Sequence, residues 1–281
     1  MLEDIIHYFV HSLIDSLKIL PFLFIAFVII EVIEHKFSEK NKSIISNSGK
    51  FGPIIGAFFG LVPQCGFSVF ATNLYVTRIL SLGTLISIYL ATSDEMLPIL
   101  ISHNVSATII LKILTLKFVI GLIFGFLIDL FLRKSNNSKL DYSICKDEHC
   151  HCEEGIILSS IKHTFHIFIF IFLVNFILTL VIDVFESNIL SSILFKDSYF
   201  GPFIISLIGL IPNCASSVII TELFLNNAIS FGAMMSGLLA NSGVALLVLF
   251  KSNKNIKENI MILGLLYGIS VISGLIIMII M

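Results

Sequence analysis

Two cysteine residues lie in matching polar triplets, one in each half of the chain. Cys65 ends the triplet Pro-Gln-Cys, Cys214 ends the triplet Pro-Asn-Cys, and both triplets lie inside long apolar stretches. Proline removes a backbone donor and breaks a helix, so each triplet brings polar backbone together with a thiol and a carboxamide. Sulfur ligands suit soft metal ions, whereas carboxamide oxygens suit harder ions such as manganese. The triplets therefore predict an ion site, and the alternative is that each cysteine is a small buried apolar side chain.

Carboxamide and hydroxyl side chains around the triplets extend the predicted substrate site. Gln64 and Asn213 come directly before the cysteines, while Ser68 and Ser217 follow them and Asn73 lies further along the first apolar stretch. Hydroxyls in membrane helices often bond to their own backbone, which is the alternative for the two serines. We predict that these five side chains contact or surround the substrate.

Acidic residues inside apolar sequence complete the predicted substrate site. Asp94 and Glu95 interrupt an apolar stretch of the first half where the second half has Asn241, and Glu222 follows the second triplet. An acid within the membrane costs at least about 2.5–3.5 kcal/mol on insertion scales, so such acids are functional candidates. The alternative for Asp94 and Glu95 is a helix-end pair at the outer surface. Lys117 could neutralise one of them, or its amine could extend to the membrane surface.

A charged segment between the two halves carries a second set of candidate metal ligands. The set comprises Cys145, His149, Cys150, His151 and Cys152. Such a Cys/His-rich tract is typical of metal binding, although its spacing is not that of a zinc finger. The alternative is a solvated charged linker. With five cysteines in the whole chain, this arrangement favours thiols over a disulfide framework.

Composition indicates a membrane protein that crosses the bilayer several times. Hydrophobic residues make up 57% of the chain, and the mean hydropathy is +1.02. Charged residues make up 13%, against about 25% in ordinary globular domains. The net charge of −2 argues against a nucleic-acid partner. We therefore expect an all-α multi-pass protein of the inner or plasma membrane, with the lipid bilayer as its surroundings and no cofactor.

An internal repeat divides the chain into two homologous halves. Residues 51–100 align with residues 200–249 without a gap, at a constant offset of 149 positions. The flanking apolar stretches follow in the same order, so each half contains about five helical pieces. We predict a first repeat at 1–132, a Cys/His-rich linker at 133–156 and a second repeat at 157–281.

The pieces next to each triplet are shorter than a membrane span. They cover 51–62 and 66–77 in the first half, and 200–211 and 215–226 in the second. A helix needs about 20 residues to cross the hydrocarbon core, and each of these pieces has about a dozen. Each pair is predicted to form a broken helix or re-entrant hairpin, with its Pro-x-Cys tip near the midplane. Two short full crossings per half are the alternative.

Lysine placement predicts the orientation of the two halves. The loop at 36–50 is rich in lysine, whereas the matching loop at 187–199 has one lysine. The reverse holds for another matching pair of loops: residues 102–105 have no lysine, and residues 251–257 have three. Lysine-rich loops face the cytoplasm, so equivalent loops lie on opposite sides and the repeats are inverted. The linker is then cytoplasmic and both termini lie outside. Inverted repeats with broken helices are typical of secondary transporters.

Four motifs together resemble a known family. They are Val-Pro-Gln-Cys-Gly-Phe-Ser ending at Ser68, Ala-Thr-Ser-Asp-Glu-Met-Leu-Pro beginning at Ala91, His-Cys-His-Cys beginning at His149, and Ile-Pro-Asn-Cys-Ala-Ser-Ser ending at Ser217. On these motifs, over essentially the whole chain, the sequence is similar to the ten-helix (10TM) heavy-metal exporter family. Members are also labelled arsenic-efflux-type permeases or manganese transporters. The resemblance implies export of a metal or metalloid from the cytoplasm.

The internal repeat, the placement of the charged residues and the family resemblance together predict a secondary-active exporter rather than an enzyme. Its substrate would be manganese, arsenite or another heavy-metal ion, and the intramembrane acids favour proton antiport. A carrier of a small organic or sulfur-containing anion is the alternative. The sequence leaves the oligomeric state open, a homo-oligomer included.

Overall fold

A computed structural model describes most of residues 51–132 and 199–280. The gaps are residues 63–64, 94 and 214, together with the side chains of Cys65 and Leu132. Scattered helical positions are also described between 9 and 28 and between 161 and 176. The linker at 133–156, with its predicted metal ligands, lies outside the described residues. All regular structure in the described part is helical, as predicted for an all-α protein.

The first half contributes five helices to the described structure. They are α1 (Gly52–Gly60), α2 (Cys65–Val76), α3 (Leu82–Ala91), α4 (Met96–Ser102) and α5 (Ala107–Leu132).

The second half contributes five helices in the same order. They are α6 (Gly201–Gly209), α7 (Ala215–Leu225), α8 (Phe231–Ala240), α9 (Ala245–Ser252) and α10 (Ile256–Ile280). The helices next to the Pro-x-Cys triplets, α1 with α2 and α6 with α7, are each too short to cross a membrane alone.

Within the described ranges, four segments are long and apolar enough to cross a membrane. Two of them are the continuous helices α5 and α10, over Ala107–Phe131 and Ile256–Ile280. The other two segments, Leu82–Ser102 and Phe231–Ser252, are each divided by a break between two helices. The breaks separate α3 from α4 and α8 from α9, and each brings polar backbone into an apolar segment.

Serine and proline residues fix the starts of equivalent helices in the same way. The side chain of Ser81 accepts a hydrogen bond from the Thr84 N–H, and Ser230 does the same for Ala233 at the start of α8. Such caps satisfy one of the N–H groups that a helix start leaves without a partner. Proline in the first turn of α1 and α6 suits a position that needs no N–H donor.

Glycine contacts bring the long helices close to the broken ones. A Cβ atom added at Gly83 in α3 would lie 2.2 Å from the carbonyl oxygen of Gly125 in α5. The same crossing recurs in the second half, where a Cβ at Gly232 would lie 2.6 Å from the Gly274 carbonyl oxygen. Only a residue without a side chain permits this approach between membrane helices.

Contacts between the two halves are reciprocal. α2 of the first half packs against α9 of the second, and α7 of the second half packs against α4 of the first. The broken helices α3 and α8 also pack against each other. Further out, the ring of Phe9 lies 5.2 Å from that of Phe172 and 5.8 Å from that of Phe176. The breaks therefore lie in the interior, between the halves.

Candidate functional site

The structure describes seven of the eleven predicted substrate-site side chains. These are Ser68, Asn73, Glu95, Asn213, Ser217, Glu222 and Asn241. The others, Gln64, Cys65, Asp94 and Cys214, and the linker residues Cys145, His149, Cys150, His151 and Cys152, lie outside the described side chains. The structure does not test the roles predicted for these residues, which remain predictions from the sequence.

Asn213 caps the helix that follows the second triplet. Its side-chain oxygen accepts a hydrogen bond of 3.0 Å from the backbone N–H of Ala215, the first residue of α7. Because a backbone N–H can only donate, the atom facing it must be Oδ1, and Nδ2 is directed elsewhere. Nδ2 is buried and has no hydrogen-bond partner among the described residues. The tip thus holds a buried amide donor that no described residue accepts from.

A buried serine ties this tip to the break after α8. The Ser216 hydroxyl lies 2.7 Å from the Asn213 carbonyl oxygen and 3.3 Å from Oδ1 of Asn241, and it can donate to either. Oδ1 of Asn241 also accepts from the N–H of Gly243 at 2.9 Å. The start of α7 and the end of α8 therefore share one hydrogen-bond network, in which both described carboxamide oxygens are engaged.

The break after α8 contains a further buried polar group that bonds to none of the described residues. Ser242 is 1% exposed, and its hydroxyl has no hydrogen-bond partner among the described residues. The next residue, Gly243, has a φ of 56°, a conformation that glycine adopts without steric cost. This turn allows the chain to leave α8 and restart as α9 without continuing the helix.

Lys117 of the first half reaches the same break. Its side chain is 1% exposed, and its ammonium donates a hydrogen bond of 2.5 Å to the carbonyl oxygen of Leu238. Because α8 ends at Ala240, this carbonyl is among the last four, which have no partner within the helix. The amine therefore does not extend to the membrane surface. Instead a buried cationic side chain of α5 contacts the polar end of α8.

The corresponding region of the first half has a different set of contacts. The Thr72 hydroxyl donates to the Ser68 carbonyl at 2.7 Å and lies 2.6 Å from the hydroxyl of Tyr89, which is fully buried. In the second half Thr221 bonds to the Ser217 carbonyl in the same way. The sequence did not indicate this role for Tyr89, because a tyrosine in an apolar helix is common and does not by itself predict a buried hydrogen bond.

The predicted residues Asn73 and Glu222 occupy equivalent positions in different surroundings. Asn73 is 3% exposed, and its Nδ2 has no hydrogen-bond partner among the described residues. Glu222 is 40% exposed, and Oε1 lies 3.1 Å from Nε2 of His103, which is 48% exposed. Glu222 follows Asn213 by nine positions, or about 13 Å along a helix at 1.5 Å per residue. Glu222 therefore contacts the first half through His103, and its predicted role in the substrate site stays a prediction.

Glu95 lies beside the break of the first half. It immediately precedes α4 as the N-cap residue, and its side chain makes no capping hydrogen bond. The neighbouring break residues Thr92 and Ser93 bond back to their own helix, to the carbonyls of Ile88 and Ala91. Among the described residues, no group of three or more His, Cys, Asp and Glu side chains is placed to hold a metal ion.

A charged cluster joins the two halves at the far end of α2. The Arg78 guanidinium donates to both carboxylate oxygens of Glu258, at 2.5 and 2.8 Å, and the Tyr75 hydroxyl donates to the same carboxylate. Arg78 also lies 5.5 Å from the centre of the Tyr75 ring. The sequence signal was weak: Arg78 is one of only two arginines in the chain, and it borders an apolar hairpin.

Comparison with known proteins gives the family. A family described as "Putative, 10TM heavy-metal exporter" matches the chain over residues 4–195 and 177–281. The chain belongs to this family. The predicted family is thereby confirmed, and with it a multi-span membrane protein of the heavy-metal exporter type. No curated protein and no solved structure was found to match the chain.

Proposed function

We propose that this protein is a secondary-active carrier that exports a metal or metalloid ion from the cytoplasm. The observation that carries the proposal is the buried polar network between the second Pro-x-Cys tip and the break after α8. Irregular polar backbone inside a membrane protein is tolerated where it is enclosed by protein or lines a cavity. Such breaks at the centre of a two-part bundle are where transporters bind their substrates.

We further propose that the two halves are inverted repeats with re-entrant Pro-x-Cys hairpins. The reciprocal packing of α2 with α9 and of α7 with α4 supports a two-fold relation between the halves, and the lysine distribution favours an axis in the membrane plane. Two left-handed residues at equivalent turns, Arg78 with φ 62° and Asn227 with φ 57°, support it as well. Together with the lysine distribution, this topology puts the linker in the cytoplasm and both termini outside.

In the proposed site, substrate lies between the two tips and the two breaks. Cys214 is enclosed in sequence by Asn213 and Ala215, both of which belong to the described tip. Gln64 and Cys65 hold the equivalent places at the start of α2, and Asp94 falls in the break between α3 and α4. Thiols and carboxamides at the tips would contact the ion.

Proton antiport is the coupling that we propose for export. Glu95 supplies a carboxylate beside one break, Asp94 precedes it in the sequence, and Lys117 supplies an ammonium at the other break. The sequence has no nucleotide-binding P-loop motif that would indicate an ATP-driven pump. The Cys/His-rich linker, whose ligands begin at Cys145, would capture or sense metal on the cytoplasmic side.

Reconstituted flux tests this proposal. Purified protein in proteoliposomes is assayed with manganese, zinc, cadmium and arsenite, with and without an imposed pH gradient. We expect saturable flux of at least one ion, faster with the gradient, and loss of thiophilic transport in a Cys65→Ser/Cys214→Ser variant. The matched control is Cys150→Ser/Cys152→Ser in the linker, which should retain flux in the absence of cytoplasmic metal delivery. Wild-type protein that is monodisperse yet moves none of these ions would overturn the proposal.

A further inference from the structure

Two pairs of short helices join the halves, and each pair leads from the centre towards one end of the bundle. α2 packs against α9, and α7 packs against α4. In each pair one helix begins at a Pro-x-Cys tip and the other begins after a break. Both helices of a pair therefore start at the proposed substrate site. In the inverted arrangement proposed above, the two pairs lead to opposite faces of the membrane.

A charged cluster closes the outer end of the α2/α9 pair. The Arg78 guanidinium donates to both carboxylate oxygens of Glu258, and the Tyr75 hydroxyl donates to the same carboxylate. The Glu258 side chain is largely buried. Charges that leave water gain mutual attraction but lose hydration, and they regain that hydration when they separate. Such a contact can hold two elements together and still be released, as a reversible closure requires.

Amide side chains fix the segment that carries Glu258. The Asn255 side chain accepts a hydrogen bond of 3.3 Å from the Glu258 N–H, at the start of α10. Oδ1 of Asn253 accepts from the Asn255 N–H at 3.1 Å, and Nδ2 of Asn253 donates to Oδ1 of Asn259 at 2.8 Å. These bonds all lie within the second half. The carboxylate is therefore presented to the first half by a turn with its own hydrogen-bond network.

The backbone at Arg78 has a conformation that other residue types favour. Its φ is 62°, and the equivalent turn of the second half has Asn227 with a φ of 57°. Asparagine is enriched in this left-handed region, whereas arginine is uncommon there. A residue in an unfavourable conformation points to a role for that position. The contact of the guanidinium with Glu258 is a role that an asparagine side chain could not fill.

The outer end of the α7/α4 pair is closed less firmly. His103 and Glu222 make a single contact of 3.1 Å, and their side chains are more exposed than those of Arg78 and Glu258. Phe224, the counterpart of Tyr75, has no hydroxyl to donate. The two ends of the molecule therefore differ in the strength of the contact between the halves.

We infer that Tyr75, Arg78 and Glu258 form a latch, which closes one end of the carrier and opens in each transport cycle. The lysine-rich segment at 251–257 directly precedes Glu258 and favours the cytoplasmic face for this end. The structure then shows the carrier closed towards the cytoplasm. This inference rests on the proposed function, because a latch that opens and closes is needed only where a central site is exposed to the two faces in turn.

Hydrogen exchange followed by mass spectrometry tests the latch in the full-length protein without substrate. Glu258→Gln removes the charge of the carboxylate, and we expect severalfold faster amide exchange in residues 75–81. Opening one end of a carrier shifts the population towards the state that is closed at the other end, so exchange in residues 222–229 should slow. An ion pair that only stabilises the fold would give the first change without the second.

Two further variants control for folding and for local loosening. Arg78→Gln breaks the same contact from the first half and should produce the same two opposed changes, which provides a second test if Glu258→Gln does not fold. Ser81 lies at the same end, where it accepts from the Thr84 N–H and donates to Asp129 of its own half. Ser81→Ala should therefore speed up exchange locally and leave residues 222–229 unchanged.

The possible outcomes distinguish this inference from the proposed function. Exchange in residues 222–229 that does not slow in the folded Glu258→Gln or Arg78→Gln variant would overturn the latch and leave the carrier intact. Slowing of the same residues in Ser81→Ala would also overturn it, because the response would then not depend on the ion pair. The proposed function fails on a different measurement, the absence of all ion flux in wild-type proteoliposomes.

Discussion

The two halves of the molecule have the same framework but different polar groups at the centre. Ser87 donates to the carbonyl of Pro53 in the first half, and Ser236 donates to the carbonyl of Pro202 in the second. The glycine crossings at Gly83 and at Gly232 correspond in the same way. Packing is therefore duplicated where helices must approach closely.

The polar contacts near the breaks are not duplicated. Lys117 of α5 contacts the end of α8, whereas the position 149 residues later is Leu266, a fully buried apolar side chain. Tyr89 bonds to Thr72 in the first half, and its counterpart in the second half is Leu238. The difference is consistent with the proposed single site, shared by both halves and asymmetric in its polar groups.

Two ion pairs that join the halves in the described part of the chain also differ from each other. Arg78 and Glu258 form a two-pronged pair in which the acid is 10% exposed, whereas His103 and Glu222 make a single contact with both side chains at least 40% exposed. Exposed pairs contribute little to stability because water screens them. One end of the molecule is thus held together by charge more firmly than the other.

The largest expected effect is that of removing the buried ammonium. In Lys117→Met the Leu238 carbonyl loses its donor, and a hydrogen bond to a charged group contributes about 1.5–3 kcal/mol. We expect flux per folded protein to fall at least severalfold, because this contact joins α5 of the first half to the end of α8 at the break. The matched control is Lys112→Met, an exposed lysine of the same helix above the ring of Phe231. Equal flux in the two variants would show that the asymmetry at Lys117 has no role in transport.

Alanine at the helix crossings should destabilise both halves alike. Gly83→Ala and Gly232→Ala place a methyl group against a neighbouring backbone, and overpacking of this kind typically costs about 1–3 kcal/mol. Thermal unfolding in detergent, followed by circular dichroism, measures the effect. Gly264→Ala is the control, because nothing lies within 4 Å of its added Cβ. If only one of the two alanine variants loses much thermal stability, the two helix crossings are not equivalent.

A smaller effect is expected from the ion pairs, and it should be unequal. We expect Arg78→Gln to lower the free energy of unfolding by about 1–2 kcal/mol, because its partner is largely buried. Glu222→Gln should change it by less than about 1 kcal/mol. Double-mutant cycles with Glu258→Gln and His103→Gln isolate the two pair energies. A larger coupling energy for His103 and Glu222 than for Arg78 and Glu258 would contradict the expectation that the buried pair stabilises the fold more.

A similarly small effect is expected for Tyr89→Phe. The variant loses one hydroxyl contact to Thr72, which keeps its hydrogen bond to the Ser68 carbonyl. A neutral hydrogen bond contributes about 1 kcal/mol, so the midpoint of thermal unfolding should drop slightly while flux is retained. If flux is lost while thermal stability is unchanged, Tyr89 has a role in transport and not only in the stability of the fold.

The sequence predicted the parts of the fold that depend on local pattern. Apolar stretches interrupted at Pro63 and Pro212 indicated pairs of short helices, and the gapless repeat indicated equivalent order in the two halves. The break residues beginning at Asn241 were also visible, because polar side chains interrupt apolar sequence there. Family membership followed from the same motifs.

The sequence could not predict contacts between residues that are distant along the chain. Lys117 and the Leu238 carbonyl are separated by 121 positions, and Arg78 and Glu258 by 180. Glu222 was predicted to belong to the substrate site, because an acid in an apolar stretch is costly, and that stays a prediction; its contact with His103, 119 positions away, gave no signal in the sequence. Hydropathy gives neither the depth of such an acid nor the side chain that it faces.

The central claim is that this protein is a metal or metalloid carrier with one site. Substrate counterflow in proteoliposomes tests this claim most directly. Vesicles containing wild-type protein are loaded with unlabelled arsenite and diluted into a trace of labelled arsenite. A carrier concentrates label transiently inside, and we predict such an overshoot for the wild type, with its loss in Lys117→Met. Label that merely equilibrates in the wild type, without saturation and without an overshoot for arsenite or any metal ion in the panel, would contradict the account.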